Sequence, residues 1–386
     1  MEIDTAELRG KAFRCIDGCG LCCLCQPELL PRETQYFLSA EQLRKSVTRS
    51  SIDSSKRAIS TFPSGGPCTL LRDRKCTVYG KRPHFCRSFP VHTHLMWRIQ
   101  LTADMTCRGV WRAWQGTVPD GYEDLESYGL RELHTCHTAK LESELREAAE
   151  VYRSFVDNCG ESGVWTDHVS MRYSAGELIR QGYFSSVSGL GRILVAAEGS
   201  RDGGTDFMSA LKTVGAERSA AAASAVMEEL LDEILSIDRI DEMPVFVDGK
   251  LGWHLFRRGT GKPDGVSKLR LGDRGGASEE EEFVLKLKDV AVSESGGVPM
   301  AEFASLTNSR DVFLGFVYYL TDDADYDSDV YTTYVENLAV TQLDLIIRSA
   351  LANPANAGRL GRNEIADGIV FIDMDIHDAP TIGSVI

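Results

Sequence analysis

Cysteine is the residue type in this 386-residue chain best able to do chemistry, and all eleven copies precede residue 160: Cys15, Cys19, Cys22, Cys23, Cys25, Cys68, Cys76, Cys86, Cys107, Cys136 and Cys159. Five of the eight histidines (His84, His92, His94, His134 and His137) fall in the same stretch. The first block, Phe13 to Pro27, reads C-x3-C-x2-C-C with one more Cys two residues on. Thiolates so spaced converge if the backbone curls around one point. Gly18 and Gly20 permit that curl because glycine accepts positive φ and leaves amide N–H groups free to face sulfur. Cys22 and Cys23 are adjacent and should project differently, so one of them is expected to serve a second site or a second iron. The other block runs from Cys68 through Cys76 to Cys86, with Cys107 beyond it. Arg72, Arg74, Lys75, Lys81, Arg82, Arg87 and Arg98 stand around it against a single Asp73. A cationic shell of this kind stabilises metal-bound thiolates.

An odd cysteine count in a chain whose first residues lack the basic and apolar regions of a secretory signal argues against a disulfide framework and for metal or redox chemistry. A cytoplasmic location is expected on the same ground. Zinc requires closed sites of four ligands, and seven or eight thiolates could make two of them. An iron–sulfur cluster also takes four cysteines, and the crowded, glycine-containing Cys15–Cys23 run is closer to a ferredoxin-like loop than to two separated C-x2-C pairs. The spacing therefore favours an iron–sulfur cluster, [4Fe-4S] in type, over Zn2+.

The two blocks together, Cys15-x3-Cys19-Gly-Leu-Cys22-Cys23 and Cys68…Cys76-Thr-Val-Tyr-Gly-Lys-Arg-Pro-x2-Cys86-Arg-Ser-Phe-Pro90, resemble the YkgJ-type cysteine-cluster family of zinc- or iron-chelating CxxCxxCC proteins. The resemblance covers about residues 10–110 and implies metal binding without defining a reaction. A more distant similarity, through the first cysteine motif, is to the flagellin lysine N-methylase FliB. It implies S-adenosylmethionine as a further cofactor and a protein as substrate. The expected ligands are Cys15, Cys19, Cys22, Cys23, Cys68, Cys76 and Cys86, with Cys107 as the eighth; Cys25, Cys136 and Cys159 are left as spare thiols. A non-enzymatic metal-handling or interaction protein is the remaining alternative.

Other motifs carry less. Cys19-Gly-Leu-Cys22 lacks the preceding βαβ unit of a thioredoxin-like pair. His134-Thr-Cys136-His137 reads as a helix surface, and His92 and His94 as a strand face. Gly189-Leu-Gly191 and Gly259-Thr-Gly261-Lys262 do not complete a nucleotide loop and read as turns. Asp373 and Asp375, with His377, read as solvated acids at a strand end.

The elements that must position the cysteines are short and irregular. Ser39-Ala-Glu-Gln42 resembles a capping box and predicts a helix to about Arg49. Residues 50–67 read as a loop, Val91–Leu101 as a strand, and residues 130–157 as a long helix ending at Asn158-Cys-Gly160, where a domain boundary is expected. This divides the chain into a cysteine-cluster domain, 1–159, and a cysteine-free part, 160–386. The first holds 22 basic and 20 acidic residues, the second 20 and 37, so the net charge of −15 belongs to the second part. So acidic a surface repels nucleic acid. No apolar run approaches the ~20 residues of a membrane span. In the second part, helices are expected at Tyr173–Gln181, Gly203–Val214, Glu217–Ile237, Asp311–Leu320 and Asp327–Ala352. A hairpin is expected around Asp248-Gly249, strands at Phe283–Val292 and Ile369–Asp373, and a solvated loop at Gly272–Glu282. The class is α+β, a cysteine-rich metal-binding module followed by a mixed helix/strand domain, with no internal repeat and no indication of oligomeric state.

Overall fold

The computed structural model describes residues 2–51, 53–62, 67–111, 116–135, 142–151, 153–154, 168–203, 206–236, 245–259, 265–272, 277–322 and 330–376. The class is α+β, as the patterning implies. Short elements dominate to residue 135: strands β1 (Ile3–Asp4), β2 (Ala12–Phe13), β3 (Glu28–Leu29), β4 (Val47–Arg49), β5 (Arg57–Ile59), β6 (Leu71–Arg72), β7 (Lys75–Cys76), β8 (Val91–Leu95), β9 (Ile99–Ala103), β10 (Val110–Trp111) and β11 (Glu123–Asp124), and helices α1 (Pro31–Ser39), α2 (Glu41–Arg44), α3 (His84–Ser88) and α4 (Leu125–Leu133). They form small sheets ordered β1-β9-β8, β10-β2-β11, β3-β5-β4 and β6-β7.

Several sequence expectations are corrected here. The helix predicted from Ser39 to about Arg49 is confined to the short α2, and a longer helix, α1, ends at Ser39. Pro31 sits at its start, the Glu33 carboxylate accepts from the Leu30 amide at 3.1 Å, and Ser39 Oγ donates back to the Tyr36 carbonyl at 2.8 Å. Proline fits that first turn because its missing N–H would have no partner anyway. The chain reaches Arg49 as strand β4, and the predicted loop 50–67 contains β5. The predicted strand Val91–Leu101 is a hairpin, β8 against β9, with Val91 opposite Ala103. Of the predicted helix 130–157, α4 stops at Leu133 and residues 142–151 are helical (α5); residues 155–167, with the expected boundary at 158–160, lie outside the described residues.

Longer elements follow: α6 (His168–Arg180), α7 (Val187–Gly203), α8 (Phe207–Thr213), α9 (Ala216–Leu235), strands β12 (Val245–Val247), β13 (Trp253–Arg258), β14 (Gly265–Leu271) and β15 (Ala277–Val284), then α10 (Glu294–Ser309), α11 (Asp311–Asp322), α12 (Val330–Ala352) and α13 (Arg362–Ile376). Gly189 and Gly191 form no turn; they lie inside α7, where a Cβ on Gly191 would stand 2.0 Å from the Ser219 carbonyl of α9. Only glycine lets these helix backbones approach so closely. The expected strand Ile369–Asp373 is part of α13, because Ile365, Ile369, Val370, Phe371 and Ile372 are all buried, and an apolar run buried on every side carries no period. Helix α10, with Pro299 inside it, also went unassigned. Of the predicted loop 272–282, residues 273–276 lie outside the described residues and 277–282 belong to strand β15, whose exposed Glu280 and Glu279 pair with Arg257 and Arg270 across the sheet at 2.9 and 2.8 Å.

Strands β12-β13-β14-β15 form one antiparallel sheet, buried on both faces along β12 and the middle of β13 and β14 and exposed along β15. Strand alternation divides its side chains. Phe246 and Phe256 stack on Phe371 of α13 at 5.2 and 5.4 Å, while Val247, Trp253, Leu255, Leu269 and Leu271 pack on Leu21 and Leu71 beside the cysteines. The expected tight turn at Asp248-Gly249 is a wider loop with Leu251 at φ 63°, closed by the Asp248 carboxylate, which accepts from the amides of Lys250 and Gly252 and faces His254 Nε2 at 2.6 Å.

Buried ion pairs join the early strands to the late helices. Arg310 binds Glu7 at 3.1 Å, Asp373 at 2.9 Å and the Ala103 carbonyl at 3.0 Å. Asp373, expected to be solvated, is fully buried in that network. Arg98 bridges Asp4 and Asp311, which also receives Arg172. No described helix is long and apolar enough to cross a membrane.

Candidate metal centre

The Cys15–Cys25 loop is set by its backbone. The Arg14 amide donates to the Gly109 carbonyl at 3.1 Å, Gly18 and Gly20 take φ of 77° and 66°, and Leu21–Cys23 form one 3-10 turn. The second block is drawn in by the Cys68 amide, which donates to the Cys23 carbonyl at 2.7 Å. The β6–β7 hairpin then sets Leu71 opposite Cys76, turning through Asp73 and Arg74, both at positive φ. Cys86 lies on α3, whose first amide, that of His84, donates to the Glu33 carboxylate at 2.6 Å.

These segments surround a cavity of about 270 Å³ lined by seven thiols: Cys15, Cys22, Cys23, Cys25, Cys68, Cys76 and Cys86. A second cavity of about 40 Å³ is lined by Cys15, Cys19, Cys22 and Cys107, with Phe13 and Phe89. Each of the eight predicted ligands therefore faces one cavity or the other. Cys25, set aside by the sequence reading, lines the larger one too, and its Sγ donates to the Cys22 carbonyl at 3.2 Å. All nine described cysteines are free thiols, and Cys136 and Cys159 lie outside the described residues. As they stand, no three His, Cys, Asp or Glu side chains among the described residues meet closely enough to hold an ion; the thiols surround space instead.

The cationic shell is narrower than the sequence suggests. Arg74, Lys75 and Arg82 line the larger cavity, and Arg82 also lines the smaller. Arg72 turns out over Phe62, Lys81 lies over Tyr36, Arg87 pairs with Glu33 and Glu132, and Arg98 belongs to the distant Asp311 cluster. The Nε atoms of Arg74 and Arg82 are buried and have no hydrogen-bond acceptor. Two incompletely satisfied guanidinium groups beside a set of soft sulfur donors fit an anionic thiolate–metal group.

Burial governs the protons. It pushes Cys68 up to about 11 and moves Cys19, Cys76, Cys86 and Cys107 in the same direction. Cys22 goes the other way, because the Cys23 thiol hydrogen-bonds to it, and Cys23 is raised in turn.

The sequence reading missed Trp253. Its indole N–H donates to the Cys19 carbonyl at 2.9 Å, a Cβ on Gly20 would stand 2.9 Å from its ring, and Arg74 lies 4.4 Å above it while donating to the carbonyls of Cys19 and Leu251. A residue 234 positions from its partner leaves no local signal. His92 and His94 are a strand face, as read, buried and facing Asp104 and Thr102 at 2.8 and 2.9 Å. Residues 14–108 match the family model CxxCxxCC, described as a putative zinc- or iron-chelating domain, which supports the YkgJ-type resemblance. Neither a curated protein nor a solved structure matches the chain.

Proposed function

We propose that the chain is an iron–sulfur protein whose cluster occupies the larger thiol cavity, with Cys23, Cys68, Cys76 and Cys86 as its ligands. The observation that supports this is a cavity of about 270 Å³ walled by seven thiols, with two buried arginine Nε atoms lacking acceptors. A lone zinc ion draws four sulfurs to ~2.3 Å and fills the space between them. A cavity several times a water's share of ~30 Å³ suits a group of several atoms. Such a cluster supplies one-electron transfer when bound.

The chain's own residues provide the rest. Arg74 and Arg82 offset the charge of the thiolates, and Leu21, Leu71 and Trp253 keep water from one side. Cys25, already donating to a carbonyl, stays a thiol. Anaerobic purification followed by metal and sulfide analysis and a visible spectrum tests the reading. Brown protein with matching iron and sulfide supports it. Colourless protein carrying zinc replaces the cluster with the family's other metal, and metal-free protein from metal-replete cells overturns both.

A further inference from the structure

We infer that the thiols form two separate metal sites, the second being a mononuclear tetrathiolate site for a zinc-class divalent ion, built by Cys15, Cys19, Cys22 and Cys107. The inference rests on the reading that these cysteines bind metal, and goes beyond it in number and partition. It stands on the division of the cavities. The smaller, at about 40 Å³, has room for a single ion and no polynuclear group, and the cysteines lining it number four, which is the complement of a closed structural zinc site. Phe13, Leu21 and Phe89 form an apolar wall along it, while Cys15 meets solvent.

The backbone shows why Cys107 belongs here and not with the second block. Gly109 lies so close to Arg14 that a Cβ would stand 2.1 Å from the Arg14 carbonyl, and the Arg14 amide donates to the Gly109 carbonyl. A glycine two residues after Cys107 thus clamps that thiol beside Cys15. Cys22 and Cys23 account for the division. They are consecutive in a 3-10 turn that sets Cys22 at the boundary of the two cavities, within hydrogen-bonding reach of Cys23. Cys15 and Cys22 line both cavities and complete the four of the smaller, whereas Cys23 lines only the larger. With Cys25 donating to a carbonyl, the larger cavity keeps Cys23, Cys68, Cys76 and Cys86, also four. Since no three thiols meet as they stand, filling either site requires them to rotate inward.

The test is cobalt(II) titration of the metal-free full-length chain, followed by its sulfur-to-metal charge-transfer absorption, for the wild type, Cys107→Ser, Cys19→Ser and Cys68→Ser. Two equivalents are expected for the wild type and one for each variant. Cys107→Ser and Cys19→Ser should lose the same step, and Cys68→Ser the other. As isolated, Cys107→Ser should keep the visible absorption of the larger site that Cys68→Ser lacks. Having two variants in the smaller site guards against one that fails to fold. A single equivalent in the wild type, or loss of the same step in Cys107→Ser and Cys68→Ser, overturns the partition while leaving metal binding intact. No thiolate–cobalt absorption at all overturns metal binding itself.

Discussion

The cysteine module and the helical part solve the same folding problem by different means. Around α12 and α13 the chain buries Leu338, Leu343, Ile346, Ile347, Ile369 and Phe371 completely, and apolar burial suffices to stabilise the packing. The thiols sit on loops and on short elements, only Cys76 lying on a strand, and the space at their centre is lined by sulfur. Such a region has only a small apolar cluster directly around the thiols, Phe37, Ile59 and Leu70 among it, and is held besides by what covers it. The comparison teaches that the sheet β12–β15 serves both regions, with one face on Phe371 and the other on the cysteine loop.

Metal withdrawal should separate the two regions most sharply. Metal-coupled folding free energies in small ligand-rich modules reach about 10–16 kcal/mol. Chelation should therefore strip hydrogen-exchange protection from residues 15–25 and 68–90 while α9 and α12 keep theirs; equal loss in both would erase the distinction. Chelators should also compete better as pH falls. Burial holds most of these thiols protonated without metal, so binding releases protons and weakens in acid. Titration at several pH values would show this.

On the helical side, Phe371→Ala should cost about 3–5 kcal/mol in denaturant unfolding while leaving the metal content of the folded protein unchanged. A smaller effect, on the shared sheet, is expected of Trp253→Phe, which removes one hydrogen bond to the Cys19 carbonyl. About 0.5–1.5 kcal/mol of stability should go, with faster metal loss to a chelator. Unchanged dissociation would show that the sheet merely covers the loop. Least affected should be Cys25→Ala, with metal content equal to the wild type and only the bond to the Cys22 carbonyl lost.

The thiol spacing was legible in the sequence because ligands close together along the chain are held by local turns. Cys15, Cys19 and Cys22 needed only Gly18 and Gly20 to bring them round. The cover was illegible, since Trp253 reaches Cys19 only through tertiary packing. Helix α9, whose buried Ala223, Met227 and Ile234 lie along one face, was read nearly to its ends. Where burial is complete, as along Ile369–Ile372, or where strand pairing neutralises a charge run, as at Glu279–Glu282, periodicity and composition point the wrong way. Gly189 and Gly191 misled for a related reason, because they serve helix contact and make no turn.

The clamp of Trp253 on Cys19 also has a meaning in time. Chains grow from the N-terminus, so all the cavity thiols through Cys107 emerge about 150 residues before the strand that covers them. At about 5–20 residues per second, they stand uncovered for roughly 7–30 s of synthesis. That interval is an opening for metal delivery, before the sheet closes over the loop and loading has to proceed through a finished wall.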